Sequence, residues 1–410
     1  MIATLGPARL YVWWSAIWAA SMRGFGLALM IYWVDTIGLG PFQLVVLGTA
    51  LEAGVFFAEI PTGVVADTRS RKLSLVVSHV VIGLGVIATG LTSTYWVFIA
   101  AQVFWGVGWT FKSGADVAWI TDELGDQVAS DQVIARAGQW TQIGAIAGIL
   151  VAGVVGAITN YQVVIVGAGV SLIALGVAVA VLFPEHEFTR AEGDTWPEAL
   201  KVLRQGVALV RAERVILGVL LATLLIDMGS EAIDRLSVKQ LDELGFPDTA
   251  DPIIWLMALN ICAYVLSAVF LRVVSRRIGG EGAPRRLYAM GLGVAILGAV
   301  LLAAAPTLAY GIAGALLFRS VSWSVFPIVG AVWVNRRATS EVRATLQSFL
   351  GQAGSFGEVA GGLLLGGVAQ QFSLPLAFTG SGIFFCLAMI VVLKNRPAAE
   401  SAQIAEVPCV

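Results

Sequence analysis

Charge is scarce in this chain. Only 13% of its residues are Asp, Glu, Lys or Arg, against 58% that are hydrophobic, and the mean hydropathy is +0.85. Soluble domains carry about 25% charged residues, so the solvent covering most of this surface is lipid. Cysteine is nearly absent. Cys262, Cys386 and Cys409 are scattered, which excludes a disulfide framework and a Cys-rich metal site. His79 and His186 stand far apart and form no cluster. No run reads G-x-x-x-x-G-K-[ST], so ATP-driven work by this chain alone is not expected. A Ser nucleophile elbow, a Cys–His pair and an Asp-rich diphosphate motif are missing as well. The chain does not read as an enzyme, and it implies no cofactor and no metal. Basic charge is not in excess either: the formal net charge is -2, which argues against nucleic acid as a partner. The first apolar segment is too long for a cleavable signal peptide and lacks a cleavage site, so it is expected to stay in the membrane.

What is present is a succession of long apolar runs. Twelve are long enough to cross a bilayer as helices, each needing roughly 20 residues. They lie near 10–35, 42–65, 73–92, 95–120, 134–158, 161–183, 215–235, 253–275, 287–305, 308–334, 344–369 and 375–394. A polar interruption separates the sixth from the seventh. Within it, Leu200, Leu203, Val207 and Val210 recur at helical spacing among Lys201, Arg204, Arg211 and Arg214, the pattern of an amphipathic helix lying on a membrane interface. Basic residues set the orientation. The odd connections hold one, Lys239. The even connections hold Arg69, Arg71, Lys72, Arg276, Arg277, Arg285, Arg286, Arg336 and Arg337 among others. Both termini and the central linker are therefore expected in the cytoplasm. The acidic loop from Asp122 to Asp131 does not follow the rule.

The first span begins near Leu10 and the seventh near Val215, an offset of about half the 410-residue chain. Six spans, a linker and six more spans form a parallel two-fold repeat, an arrangement typical of secondary transporters with a site between the halves. The expected division is a six-helix bundle at 1–183, a linker at 184–214, a second bundle at 215–394 and a tail at 395–410. Between the second and third spans stands Gly63-Val64-Val65-Ala66-Asp67-Thr68-Arg69-Ser70-Arg71-Lys72, a charged knot too short to fold alone.

With that knot in that loop, the chain resembles the major facilitator superfamily along essentially its whole length. Gly63, Asp67, Arg71 and Lys72 match the family's first-half motif, with Ser70 where Gly is usual. The resemblance implies an all-α integral membrane fold of 12 transmembrane helices in two pseudo-symmetric six-helix halves. It also implies that Asp67 and Arg71 join a cytoplasmic charge network, a conformational latch. The simpler alternative is that Arg69, Arg71 and Lys72 merely set topology. The fourth span carries Gln102-Val103-Phe104-Trp105-Gly106-Val107-Gly108, similar to the Arg-x-x-x-Gly-x-Gly of proton-coupled drug exporters but with Gln102 for the Arg. The fifth carries Gly144, Gly148, Gly153 and Gly156, without the Gly-Pro pair usual in that branch. Their spacing allows close helix packing.

Ionisable residues inside spans are costly and mark function by default. From helical rise, Arg23 and Glu52 lie at similar depth and could pair, and so could Glu59 and Lys112. Lys112 and Asp116 stand four residues apart. Asp227 and Glu231 share a face of the seventh span, and Arg319 and Glu358 lie near mid-depth. Glu52, Asp227, Glu231 and Glu358 are the candidate proton carriers. Arg23, Glu59, Lys112, Asp116 and Arg319 are their candidate charge partners or fixed structural ions. Asp35, Asp234 and Arg235 fall near outer span ends, where solvation is expected. Of Trp105, Trp109, Trp119, Trp140 and Trp323, one or two could line an apolar cavity, although core packing accounts better for any one of them. Gln102, Gln139, Gln142 and Asn260 could supply hydrogen bonds to cargo.

These readings favour a monomeric secondary transporter in a bacterial cytoplasmic membrane, exchanging protons for a small lipophilic organic compound such as a drug. Proton-coupled import of a small metabolite is the alternative. A non-transporting scaffold or sensor would not need so many charges at mid-membrane.

Overall fold

The structure is a computed structural model that describes residues 6–186, 204, 206–211, 213–280, 282–322, 324–337 and 343–395. The side chains of Ile60, Val64, Asp67, Gln127, Arg343 and Ala344 lie outside that description, as do Trp323 and most of the predicted linker helix, of which 206–211 is helical.

The first half comprises α1 (Pro7–Ile31, continued by a π-helical turn Tyr32–Thr36), α2 (Pro41–Thr68), α3 (Arg71–Leu91), α4 (Tyr95–Lys112), α5 (Ala115–Leu124), α6 (Gln127–Ile158) and α7 (Tyr161–Leu182). The second comprises α8 (Arg214–Glu243), α9 (Pro252–Arg277), α10 (Ala283–Ala303), α11 (Leu308–Ser322), α12 (Val325–Asn335), α13 (Arg343–Gln371) and α14 (Leu374–Lys394). Ten helices among the described residues are long and apolar enough to cross a membrane. With α4 and α13 they make the twelve expected spans of a multi-pass membrane protein. Those two are less apolar for a reason: Trp105 and Trp109 of α4, and Gln347, Gln352, Ser355 and Glu358 of α13, face interior cavities rather than lipid.

Local sequence sets the helix ends. Pro7, Pro41 and Pro252 open α1, α2 and α9, where the missing N–H leaves no intrahelical bond unmade. Side chains cap other starts. Ser70 accepts from the Leu73 N–H, Asn160 from Val163 and Asp126 from Val128. Two predicted spans are broken. The fourth stops at Lys112 and resumes as α5 after Gly114, whose φ of 78° is in the left-handed region that favours glycine. The tenth divides into α11 and α12 around Ser324.

Glycine decides which helices touch. A Cβ on Gly144 would lie 2.1 Å from the Ala16 carbonyl oxygen and one on Gly148 2.0 Å from that of Ala20, so α6 presses backbone to backbone on α1. The second half repeats this contact. Cβ atoms on Gly357 and Gly361 would lie 2.5 Å from the Leu224 oxygen and 2.1 Å from the Met228 oxygen, where α13 presses on α8. Both contacts use glycines four apart, on the fifth and eleventh spans, against the first and seventh. The two-fold repeat is thus written in the packing as well as in the span count.

The halves meet at the end carrying the odd connections. The Tyr161 hydroxyl donates to Asp251 at 2.9 Å and the Phe42 N–H to Gln370 at 3.5 Å. Val45 of α2 packs where Gly362 and Gly366 of α13 leave room. Further along the same helices, Glu59 and Gln347 stand in the walls of a cavity that separates α2 from α13. The halves are closed together at this end and diverge toward the other.

Candidate functional site

Among the described residues, two cavities lie between the halves. The first, about 710 Å³, is walled by α1, α4, α6, α8, α9 and the inner faces of α11 and α13. The second, about 790 Å³, lies among α2, α4, α8, α12 and α13. Trp105, Trp109 and Glu358 belong to both.

Their electrostatics differ. Arg23, Lys112, Arg235 and Arg319 line the first cavity together with Asp116, Glu231, Asp234 and Glu358, so its charges balance. Among its described residues the second is lined by Glu52, Glu59, Asp227 and Glu358, with no Lys or Arg. The carboxyls of Glu52 and Glu358, one from each half, are within hydrogen-bonding reach of each other. A hydrogen bond between two carboxyls needs a proton on one of them.

Expected pairings are redrawn. Arg23 does not pair with Glu52. Its guanidinium lies 5.8 Å from the Tyr264 ring centre, in the first cavity, while Glu52 lines the second and faces Glu358. Nor does Lys112 pair with Glu59: its Nζ is 2.7 Å from Asp116 Oδ2, and Glu59 is in the second cavity. Asp234 and Arg235 are not free in solvent at a span end. Both line the first cavity, and Arg235 Nε is 2.8 Å from Glu231 Oε1. That ion pair is seated against Gly48 of α2, where a Cβ would lie 2.0 Å from Glu231 Oε1. Asp35 is exposed, as expected. Arg319 is 6% exposed and donates to Asn260 Oδ1 at 3.0 Å and to Ser237 Oγ at 3.2 Å.

Of the expected cargo contacts, Trp105, Trp109 and Asn260 line the first cavity. Gln102 is buried and lines neither cavity; Gln139 and Gln142 are exposed on α6 and line neither. Trp323 lies outside the described residues.

The charged knot is shorter in space than in sequence, because α2 runs to Thr68 and α3 starts at Arg71. Arg71 forms a hydrogen-bonded ion pair with Asp122 of α5 and donates to the Ala118 carbonyl at 2.7 Å. Glu185, just past α7, accepts from the Ser70 hydroxyl at 2.6 Å and from the Lys72 N–H at 2.9 Å. Asp122 and Glu185 were not among the expected latch residues, and the acidic excess of the 122–131 loop was the available sign of the first. Gly63 has open space around it. His79 was also missed. It is fully buried and accepts a hydrogen bond from Trp14 Nε1 at 2.8 Å.

Comparison with known proteins places this geometry. The nucleoside transporter NupG, in a mutant form, superimposes with a TM-score of 0.79 at 14% identity, over 96% of this chain and 100% of that one. The POT family transporter PepTSo gives 0.75 at 12% identity, over 98% and 99%. A bacterial homologue of the human lysosomal transporter Spinster, inward-facing and unoccupied, gives 0.71 at 14%, over 96% and 100%. At these identities the likeness is one of fold, and no curated protein matches the chain. The sequence model of the Major Facilitator Superfamily matches residues 12–247. That match takes in more than half of the sequence, and the twelve-span architecture agrees with it: the chain belongs to the Major Facilitator Superfamily.

Proposed function

We propose that this protein is a proton-coupled exporter of a small lipophilic organic compound, working by alternating access as bundles 1–183 and 215–394 rock around the two cavities. The single observation that carries the reading is the meeting of Glu52 and Glu358 across the halves, with Asp227 in the same cavity wall. A carboxyl pair that needs a proton to stay together, placed where the halves touch, ties protonation to their relative position. The aromatic walls formed by Trp105 and Trp109 suit a flat apolar cargo, antibiotics included.

In a bacterial cytoplasmic membrane with both termini inside, the closed end faces outward and the cavities face the cytoplasm, the side from which an exporter loads. The protein acts as a monomer in this reading. Arg71–Asp122 and Glu185 hold the cytoplasmic ends of α3, α5 and α7 together as one unit, and Gly63, Asp67 and Lys72 complete the latch. A second reading, import of a small metabolite, is favoured by the guanidiniums and Asn260 in the first cavity, which suit a polar cargo.

The test is proton movement in inside-out vesicles holding a preformed pH gradient, challenged with a panel of lipophilic compounds. Compound-triggered loss of luminal protons supports export by antiport. Silence toward every lipophilic compound, with proton movement on adding nucleosides or peptides, supports import instead.

A further inference from the structure

Lys112 ends α4, one residue before the Ser113–Gly114 break. Its Nζ lies 5.3 Å from the Trp14 ring centre, 5.6 Å from that of Trp18 and 5.5 Å from that of Trp109. Asp116 closes the fourth side at 2.7 Å. Three indole faces and a carboxylate around a cation make up the chemistry that recognises alkylammonium groups. The walls are fixed. Trp14 is 3% exposed and bonded to His79, and Trp18 is 7% exposed and edge-on to His79 at 4.7 Å. Trp109, at 43% exposed, is the open side. All five residues line the first cavity.

A structural ion pair stapling α4 to α5 explains the carboxylate. It does not explain three indoles converging on the same ammonium on a cavity wall. We infer that this cage is the head-group site for an organic ammonium cargo, and that Lys112 occupies it when cargo is absent. The inference rests on the export reading and names its cargo class. Lys112 is equipped to leave. Its ammonium rides on a flexible four-carbon stem, its backbone adjoins the break at Gly114, and Glu231, Asp234 and Glu358 line the same cavity as alternative partners. A cargo cation replaces it charge for charge, so the half-buried carboxylate of Asp116 is never left alone.

The test uses purified full-length protein in detergent, with benzyltrimethylammonium as probe and benzyl alcohol as the uncharged control, both measured by calorimetry. Lys112→Gln empties the cage of its own cation and is expected to bind benzyltrimethylammonium at least tenfold more tightly than the parent, with no change for benzyl alcohol. Lys112→Met, which keeps the stem and loses the charge, is expected to do the same and guards against a folding defect in the first variant. Adding Trp109→Leu or Asp116→Asn removes the gain. Equal or weaker binding of the ammonium in both Lys112 variants, a parallel gain for benzyl alcohol, or a gain that survives loss of Trp109 and Asp116 overturns the inference. Proton movement in vesicles separates the two ideas. Lipophilic compounds that move protons while the Lys112 variants bind the ammonium no better leave export standing and remove the cage. The tenfold gain without proton movement by any compound leaves the cage standing and removes export.

Discussion

Gly148→Ala tests how the first half is held together, and its size follows from the coordinates. The new Cβ would lie 2.0 Å from the Ala20 carbonyl oxygen and 2.6 Å from the Ala20 Cα. Both neighbours are backbone, so no side chain can rotate away. Ordinary contact begins at 3.4 Å, so α1 and α6 must withdraw locally by the difference, about 1.4 Å. Overpacking of this kind costs about 1–3 kcal/mol. The same helices carry Ala19, Met22 and Arg23 on one side and Thr141 and Ile149 on the other into the first cavity, so its shape changes with them.

The control is Gly167→Ala on α7, where a Cβ meets nothing within 4 Å. Removing a helical glycine there is expected to stabilise by about 0.5–1 kcal/mol through backbone entropy. The two identical chemical changes therefore have opposite signs. Thermal unfolding in detergent, followed by intrinsic tryptophan fluorescence, is expected to place Gly148→Ala below the parent and Gly167→Ala at or above it, a gap of at least about 2 °C. A Gly148→Ala midpoint equal to or above that of Gly167→Ala refutes the reasoning that backbone contact at Gly148 holds α1 to α6.

Two other substitutions address the charge network. Arg71→Asp is expected to lower transport, and the charge-swapped pair Arg71→Asp with Asp122→Arg to recover part of it; a double variant no better than the single one removes the Arg71–Asp122 contact from the mechanism. Glu358→Gln is expected to fold and to lose the pH dependence of transport, read as initial rates across a pH series, and an unchanged profile excludes Glu358 as a proton carrier. Glu231→Gln differs in kind, since it strands Arg235 in a site where both partners are largely buried; losing one partner of such a pair costs about 3–5 kcal/mol, and the expected readout is a fall in folded yield.

The spans were legible because lipid imposes a length and an apolarity that few other constraints imitate. Their interruptions were not. Ser113–Gly114 reads as two small residues in an apolar run, and nothing local shows that Gly114 turns left-handed there. Helical rise ranked Arg23 and Glu52 at equal height, but rise carries no azimuth. The two side chains leave α1 and α2 in different directions and reach different cavities. Lys112 and Asp116 were visible as neighbours four apart, yet they do not share one helix face: the helix breaks between them and the pair clasps the break. The apolar run that reads as the seventh span ends near 235, which sets Asp234 and Arg235 at its edge, but α8 continues to Glu243 and keeps both inside. Glu185 and His79 have partners 65 to 115 residues away, and no pattern in a single sequence announces such contacts.

Glu358 stands in the wall of both cavities, which gives proton movement a mechanical consequence on the proposed reading. With one proton shared, Glu52 and Glu358 attract and α2 stays against α13. Just beyond them on the same two helices, Val45 fills the space left by Gly362 and Gly366 and forms part of the closed end. With the proton gone, the two carboxylates repel. That repulsion favours parting α2 from α13. A bound cargo shifts the same balance by contacting one arrangement of the halves better than the other. Proton and cargo then act on one equilibrium, which is the condition for coupling their movements.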